Sequence, residues 1–185
     1  MRPSRLPIRF SILCFALMAF SVSSPAGQSA TALRCGVDQN RIAERLFADP
    51  NGKNEWKEYR NIEAIPELSN DGGIFARIWS GSNGAVLLRT EEPGEDFASY
   101  TDYCFDAKGH LLQLRFELRT AWGWGYKKEG PVLRGIVTPK LSEFFDTTTD
   151  NRVTRPEQAS DILEALSPKL YLQKSRLPFY KLLFK

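Results

Sequence analysis

The sequence predicts an α+β fold, in which an antiparallel β-sheet of about five to seven strands is flanked by N-terminal and C-terminal helices. Apolar and polar residues alternate in several short segments between residues 74 and 153, as they do in strands with one buried face. Turn-forming residues separate these segments. Before and after this region, apolar residues recur at the spacing of a helix.

The first 26 residues have the order of a secretory signal peptide. Three arginines and no acid accompany the apolar run at residues 10–22, which is shorter than the roughly 20 residues that cross a membrane as a helix. Ser24-Pro25-Ala26 then fits the small-x-small pattern of a cleavage site. We expect residues 1–26 to be removed. Residues 27–185 would form a single globular domain, without a membrane span, in the periplasm or outside the cell.

Removal of the signal peptide changes the charge balance of the protein. The full chain has 25 basic and 22 acidic residues, and the first 26 residues contain three of the basic residues and none of the acidic ones. The mature domain therefore carries 22 residues of each sign. A nucleic-acid-binding domain needs a basic surface of its own, so we expect no nucleic-acid partner.

The mature domain retains two cysteines, Cys35 and Cys104. Thiols of exported proteins tend to oxidise, so these two are expected to form one intramolecular disulfide. Their spacing lacks the C-x-x-C pattern of a redox pair. Because the chain has a single histidine, the usual zinc site of His and Cys ligands cannot be assembled. We expect neither a metal ion nor a cofactor.

Two helical segments are predicted before the sheet. Asp38 is positioned to cap the first helix, which ends at residues 49–52. The apolar positions of this helix share one face: Ile42, Ala43, Leu46 and Phe47. A second, less periodic segment begins at Asn54 and ends before Pro66.

The strands are predicted to follow as a series of hairpins. Residues 74–80 and 85–90 flank a turn-rich quartet and form the first hairpin. A third strand is expected at residues 97–105. The strongest alternation follows it, and its apolar residues are Leu112, Leu114, Phe116 and Leu118. Further strands are expected at residues 132–137 and around residues 144–147, with Asp150-Asn151 as a turn before Val153.

A C-terminal helix is predicted after the last strand. Thr154 and Glu157 have the spacing of a capping box, and Pro156 lies in the first turn. The apolar stripe of this helix contains Ala159, Ile162, Leu163 and Leu166. We expect the stripe to cover one face of the sheet.

The leading candidate site is the aromatic segment at residues 122–126. In an extended strand, Trp122, Trp124 and Tyr126 project from one face and offer a stacking surface for a sugar or an extended apolar ligand. The same residues continue the phase of the preceding buried row, so core packing is the alternative. His110 shares this phase and is included in the candidate ligand site. No G-x-S-x-G motif accompanies it, and no catalytic residue is assigned.

Two acidic groups suggest a different chemistry. The first contains Glu91, Glu92, Glu95 and Asp96, and the second contains Asp146 and Asp150. Carboxylates bind calcium or supply the acid and base of glycoside cleavage. Neither group has the spacing of an EF-hand loop, so solvated turns are the simpler interpretation.

Residues 169–185 form a basic, aromatic tail without acidic residues. Such a segment suits peripheral contact with an anionic membrane surface. We favour packing of the tail on the domain, because its many apolar residues would otherwise be exposed.

The sequence therefore favours an exported, noncatalytic binding protein for a small molecule or glycan, with an aromatic cleft at residues 122–126. This interpretation depends mainly on the absence of an assembled catalytic motif. One alternative is a small extracellular hydrolase that uses carboxylates, with glycans as a substrate class. Another is a subunit of an envelope assembly, whose partner would be an envelope protein.

Overall fold

A computed structural model gives the fold of residues 35–37, 41–69, 72–81 and 83–184. Ten antiparallel strands form one sheet. In chain order they are β1 (Arg45–Asp49), β2 (Lys57–Tyr59), β3 (Ile74–Ser80), β4 (Val86–Pro93), β5 (Phe97–Phe105), β6 (Leu111–Thr120), β7 (Trp124–Leu133), β8 (Ile136–Val137), β9 (Leu141–Asp146) and β10 (Arg152–Val153). Within these ranges there is one α-helix, α1 (Ala159–Ala165). The 3-10 helices are Ile62–Ala64, Lys174–Arg176 and Tyr180–Phe184.

The centre of the sheet is a meander. Strands β3 to β7 pair in chain order, and β9 and β10 continue the sheet beyond β7. On the other side, β1 lies between β3 and the edge strand β2. The short strand β8 pairs with the end of β7. Consecutive antiparallel strands need only short turns, which agrees with the turn residues between the predicted strands.

The predicted fold class was wrong, although the antiparallel sheet itself is confirmed. The sheet has ten strands instead of five to seven, and the described residues contain no N-terminal helix. The segment predicted as the first helix forms β1, while its proposed cap, Asp38, lies outside the described residues. Leu46, Phe47 and Ala48 are all buried. A short run that is buried on both faces has no period that separates a strand from a helix.

The other predicted helices also need correction. The second one is replaced by β2 and the 3-10 helix at Ile62–Ala64. The C-terminal helix is present but has only seven residues. It begins after the predicted capping box, and its N-cap residue, Gln158, makes no side-chain capping hydrogen bond. The pairing of Arg152 and Val153 with β9 keeps the chain extended up to Val153, so the helix begins later than the capping box predicts.

The strand register defines two faces of the sheet, because residues directly opposite each other in neighbouring strands share a face. The first, which we name the covered face, includes the row Phe47, Ala76, Thr90, Thr101, Phe116 and Lys128. The second, which we name the charged face, includes the row Arg77, Arg89, Asp102, Arg115 and Glu129.

The main core lies between the covered face and the C-terminal segment, residues 159–184. Ala159, Leu177 and Phe179 are buried in the same cluster as the apolar residues of the strands. The ring of Phe179 stacks on Phe47, with 4.9 Å between the centroids. The basic, aromatic tail therefore packs on the domain over much of its length. Membrane contact by this tail is not tested by the fold.

The predicted pairing of the two cysteines is confirmed. Cys35 and Cys104 form a disulfide with 5.6 Å between their Cα atoms. Cys104 lies on the charged face, where Val37, Trp79 and Leu87 form a second, smaller apolar cluster nearby. The disulfide thus fastens the segment at residues 35–37 over one end of that face. Among the described residues, no helix is long and apolar enough to cross a membrane.

Candidate ligand-binding cavity

Polar side chains interrupt the apolar covered face where β4 pairs with β5. The register places Thr90 opposite Thr101, and Glu92 opposite Ser99. Ser99 and Thr101 are buried. The side chains of Thr90 and Thr101 hydrogen-bond to the Tyr103 hydroxyl, which offsets part of the cost of burying these polar groups.

A cavity of about 240 Å³ lies between these polar residues and the C-terminal segment. The strands supply its polar side, and residues 165–169 with residues 177–179 lie across it. Four aromatic side chains also line the cavity: Trp56, Tyr103, Tyr171 and Phe179. The centroids of Trp56 and Phe179 are 4.6 Å apart, and those of Tyr103 and Tyr171 are 5.7 Å apart.

Glu92 is the carboxylate of this cavity, and its environment disfavours the charged form. Burial raises the pKa of the Glu92 carboxyl above its ordinary value of 4.5. No basic side chain in the described ranges forms an ion pair with it. Burial also raises the pKa values of Tyr103 and Tyr171, which keeps both phenols neutral at physiological pH.

Two contacts fix the C-terminal side of the cavity. The Tyr103 hydroxyl donates a hydrogen bond of 2.8 Å to the backbone oxygen of Lys169. The ammonium of Lys169 lies 5.5 Å from the centroid of the Tyr171 ring, in the geometry of a cation–π contact. An exposed lysine therefore contacts one of the aromatic rings that line the cavity.

A second cavity, of about 340 Å³, lies farther along the covered face. Phe116 and Tyr126 lie on its sheet side, and Leu163 and Leu170 lie on the opposite side. Ser167 and Pro168 line both cavities, so the chain at these residues separates the two. The lining of this second cavity is mainly apolar, with Lys128 as its charged residue among those described.

The three predicted aromatic residues differ in exposure, although the rings of Trp122 and Trp124 stack with 6.4 Å between their centroids. Trp122 lies in the turn between β6 and β7 and is 54% exposed, whereas Trp124 is 8% exposed. Trp124 belongs to the main core. Tyr126 packs against Phe116 and Phe144 and borders the second cavity. Ligand binding by these residues stays a prediction.

The glycine between Trp124 and Tyr126 has a packing role on the charged face. A Cβ atom at Gly125 would lie 2.3 Å from Cζ of Phe145, so the ring needs a residue without a side chain beneath it. The ammonium of Lys127 and the guanidinium of Arg119 lie 4.0 and 5.2 Å from the ring centroid. The aromatic segment is therefore shaped in part by the burial of Phe145.

His110 lies at a strand end, away from both cavities. Its backbone N–H donates to Asp106 at 2.8 Å, and its Nδ1 lies 3.2 Å from the same carboxylate. It also forms an isolated β-bridge with Gln173. These contacts describe a turn and its attachment to the C-terminal segment. A role in ligand binding stays a prediction, and no cluster of metal-ligating residues is found in the described part of the chain.

The predicted acidic groups are dispersed. Asp146 accepts backbone hydrogen bonds from Thr148 and Thr149 within its own turn. Asp150 pairs with Arg119 on the charged face, at 3.0 Å. Glu91 lies 3.1 Å from Nε of Arg77, also on the charged face.

The sequence places Glu92 among the acidic residues of a predicted solvated turn, whereas in the structure it belongs to β4. The signal that locates it is the phase of β4, where Leu88, Thr90 and Glu92 alternate onto one side. The alternation alone does not say which face of the sheet is covered. The burial of Leu88 in the structure identifies that face. No family model, curated protein or solved structure matches this chain, so the assignment of a function depends on this local geometry.

Proposed function

We propose that this protein is an exported, noncatalytic binding protein that holds a small ligand in the cavity beside Glu92. The observation that carries the proposal is a cavity lined both by the polar cluster of β4 and β5 and by four aromatic side chains. Ligand sites commonly combine an apolar lining with a few placed polar groups. A volume of about 240 Å³ lies just below the usual range of about 300 to 1,000 Å³, which favours a compact ligand.

Binding is better supported than glycan hydrolysis. Cleavage of a glycosidic bond by the usual mechanism needs two carboxyl groups on opposite sides of the scissile bond. Among the described residues that line the cavity, Glu92 is the single acid. A hydrolase would therefore lack its second group at this position.

Export is supported by two independent features. The disulfide between Cys35 and Cys104 suits an oxidising compartment. The N-terminal pattern of arginines, apolar residues and a small-x-small site suits a signal peptide, although it lies outside the described residues. Both features are expected of a periplasmic or secreted protein.

Native mass spectrometry of the protein from its own compartment tests ligand binding. We expect a population with extra mass, which disappears on denaturation and releases a small molecule. Ser99→Leu narrows the cavity and should reduce that population. Ser175→Leu, at an exposed position in a 3-10 helix, makes the same chemical change outside the cavity and should retain the ligand.

A third variant separates the two candidate sites. Trp122→Ala removes the exposed ring at the turn between β6 and β7. If the ligand is lost with Trp122→Ala and retained with Ser99→Leu, the aromatic cleft is the binding site and the cavity is not. Absence of bound ligand from every folded preparation, together with measurable turnover of a glycan, would favour the hydrolase.

A further inference from the structure

We infer that the cavity beside Glu92 recognises the ammonium group of a small organic cation. This inference names the ligand class of the proposed binding protein and therefore rests on that function. It depends on the combination of one carboxylate with several aromatic rings around a small volume.

The aromatic lining supplies the first part of this recognition. Trp56, Tyr103, Tyr171 and Phe179 all border the cavity. Aromatic faces attract cations through their quadrupole, and several rings around one site are a known way to bind quaternary ammonium groups. Neutral rings leave this attraction intact, and burial raises the pKa values of both tyrosines.

Glu92 supplies the charge. It projects onto the covered face opposite Ser99, in a region that the strands and the C-terminal segment enclose. Burial raises its pKa, and no basic side chain of the described residues neutralises it. A bound cation would compensate the cost of burying this carboxylate, because an opposite charge stabilises the ionised form.

Lys169 is an exposed residue that lines the cavity, and its ammonium contacts one of the cavity's aromatic rings. Its ammonium lies 5.5 Å from the Tyr171 ring centroid. A ligand ammonium that approaches Tyr171 must compete with this side chain for the ring. Glu92 and Lys169 should therefore affect the binding of a cation in opposite directions.

Calorimetric titration with choline tests the inference. The matched probe is the neutral isostere of choline, in which a carbon atom replaces the ammonium nitrogen. Choline is expected to bind at least about tenfold more tightly than the isostere. Glu92→Gln should weaken choline binding by about tenfold or more and leave the isostere unaffected.

Two further variants complete the experiment. Glu95→Gln removes a carboxylate from the exposed turn after β4 and should leave choline binding unchanged. Lys169→Gln removes the ammonium that competes for the Tyr171 ring and should strengthen choline binding. Choline affinity of the wild type should rise with pH as Glu92 ionises. Tyr103, Tyr171 and Lys169 are the other titratable groups that line the cavity. Burial raises the pKa values of both tyrosines, so their ionisation does not produce a rise in affinity in the acidic range.

The outcomes distinguish this inference from the proposed function. Equal affinity for choline and its isostere, or choline binding that Glu92→Gln leaves unchanged, excludes cation recognition here. No binding of choline also excludes it. If a neutral or anionic molecule still copurifies in the cavity, the protein remains a binding protein with another ligand class. If nothing copurifies and neither probe binds, both proposals are wrong.

Discussion

Glu91 and Glu92 are neighbours in β4, yet they lie on opposite faces of the sheet. Burial raises the pKa of the Glu91 carboxyl, while the nearby Arg77 and Arg89 act against this rise. Burial also raises the pKa of Glu92, and no basic side chain of the described residues acts against it. The glutamate on the charged face therefore has nearby arginines that favour its ionised form, whereas the glutamate on the covered face has none among the described residues.

The contrast extends over both faces. On the charged face, arginines and carboxylates form ion pairs both between neighbouring strands and within β6: Arg77 with Glu91, Arg89 with Asp102, Arg115 with Glu117, and Arg119 with both Glu117 and the turn residue Asp150. The covered face is mostly apolar. One of its two cavities is lined by a carboxylate, Glu92, which forms no such ion pair with the described residues. A group that disfavours folding, placed beside a cavity, is a candidate for function.

Loss of the disulfide should have the largest effect on the charged face. The double change Cys35→Ala and Cys104→Ala opens a loop whose ends are 69 residues apart. Loss of this constraint on the unfolded chain should lower the free energy of unfolding by about 4 kcal/mol. Urea titration of the mature protein measures this change.

Reduction of the wild-type protein provides the control for the cysteine variant. It should reproduce the loss of stability and expose the apolar cluster beneath residues 35–37. An unchanged urea midpoint in both experiments would mean that the disulfide does not hold this end of the sheet.

Asp102→Asn should have the next largest effect. Two nitrogens of Arg89 contact the Asp102 carboxylate at 2.7 and 3.1 Å, and the Asp102 side chain is only 4% exposed. Replacement leaves a partly buried guanidinium with a weaker partner, so we expect a loss of about 3 kcal/mol. Asp150→Asn is the matched control on the same face, because Asp150 is 57% exposed.

Asp150→Asn should cost less than about 1 kcal/mol, as expected for an exposed ion pair. Both variants can be compared by urea unfolding at neutral pH. Equal losses at the two positions would show that burial does not determine the strength of pairing on this face.

Glu92→Gln should have the smallest effect, and its sign should be opposite. The folded state raises the pKa of Glu92 above 4.5, so its stabilising contribution is full below that pH and is lost as pH rises through the raised pKa. Without ligand, the Gln variant should therefore melt at a higher temperature than the wild type at neutral pH. The difference in Tm should disappear in acid.

Thermal melts across this pH range measure the effect, with Glu95→Gln as the exposed control. Glu95→Gln should follow the wild type at every pH. If the Glu92→Gln variant is less stable than the wild type at neutral pH, other groups in the folded protein must stabilise the ionised Glu92 carboxylate. Glu92 would then resemble Glu91, and the contrast between the two faces would be lost.

Strands with one exposed face were predictable, because alternation is a local property of the sequence. Residues 97–105 coincide with β5, and Leu114, Phe116 and Leu118 are buried in β6 as predicted. Leu112 was predicted to be buried but is 50% exposed, because a register shift beside Phe105 turns Leu111 inward instead. The segment that forms β1 was predicted as a helix. Its residues are buried by neighbours on both faces, and the strands that pair with it are distant in the sequence or too short to recognise.

The aromatic segment at residues 122–126 was likewise predictable in its local alternation but not in its tertiary contacts. Its phase correctly placed Trp124 and Tyr126 on the side of the buried row. The turn at Trp122 was not predicted, because it depends on β7 returning beside β6. The cavity was not predicted either, since it arises from contact between β4, β5 and a C-terminal segment far away in the chain.

By itself, the sequence determined the pairing of Cys35 with Cys104 and the faces of the central strands. With two cysteines in the predicted mature domain, a single intramolecular pair exists, and side-chain alternation follows from strand geometry where no register shift interrupts it. Only the tertiary structure decided that ten strands join one sheet, and that Glu92 faces a cavity while Glu91 faces arginines. Those outcomes depend on burial by distant segments, which local spacing does not encode.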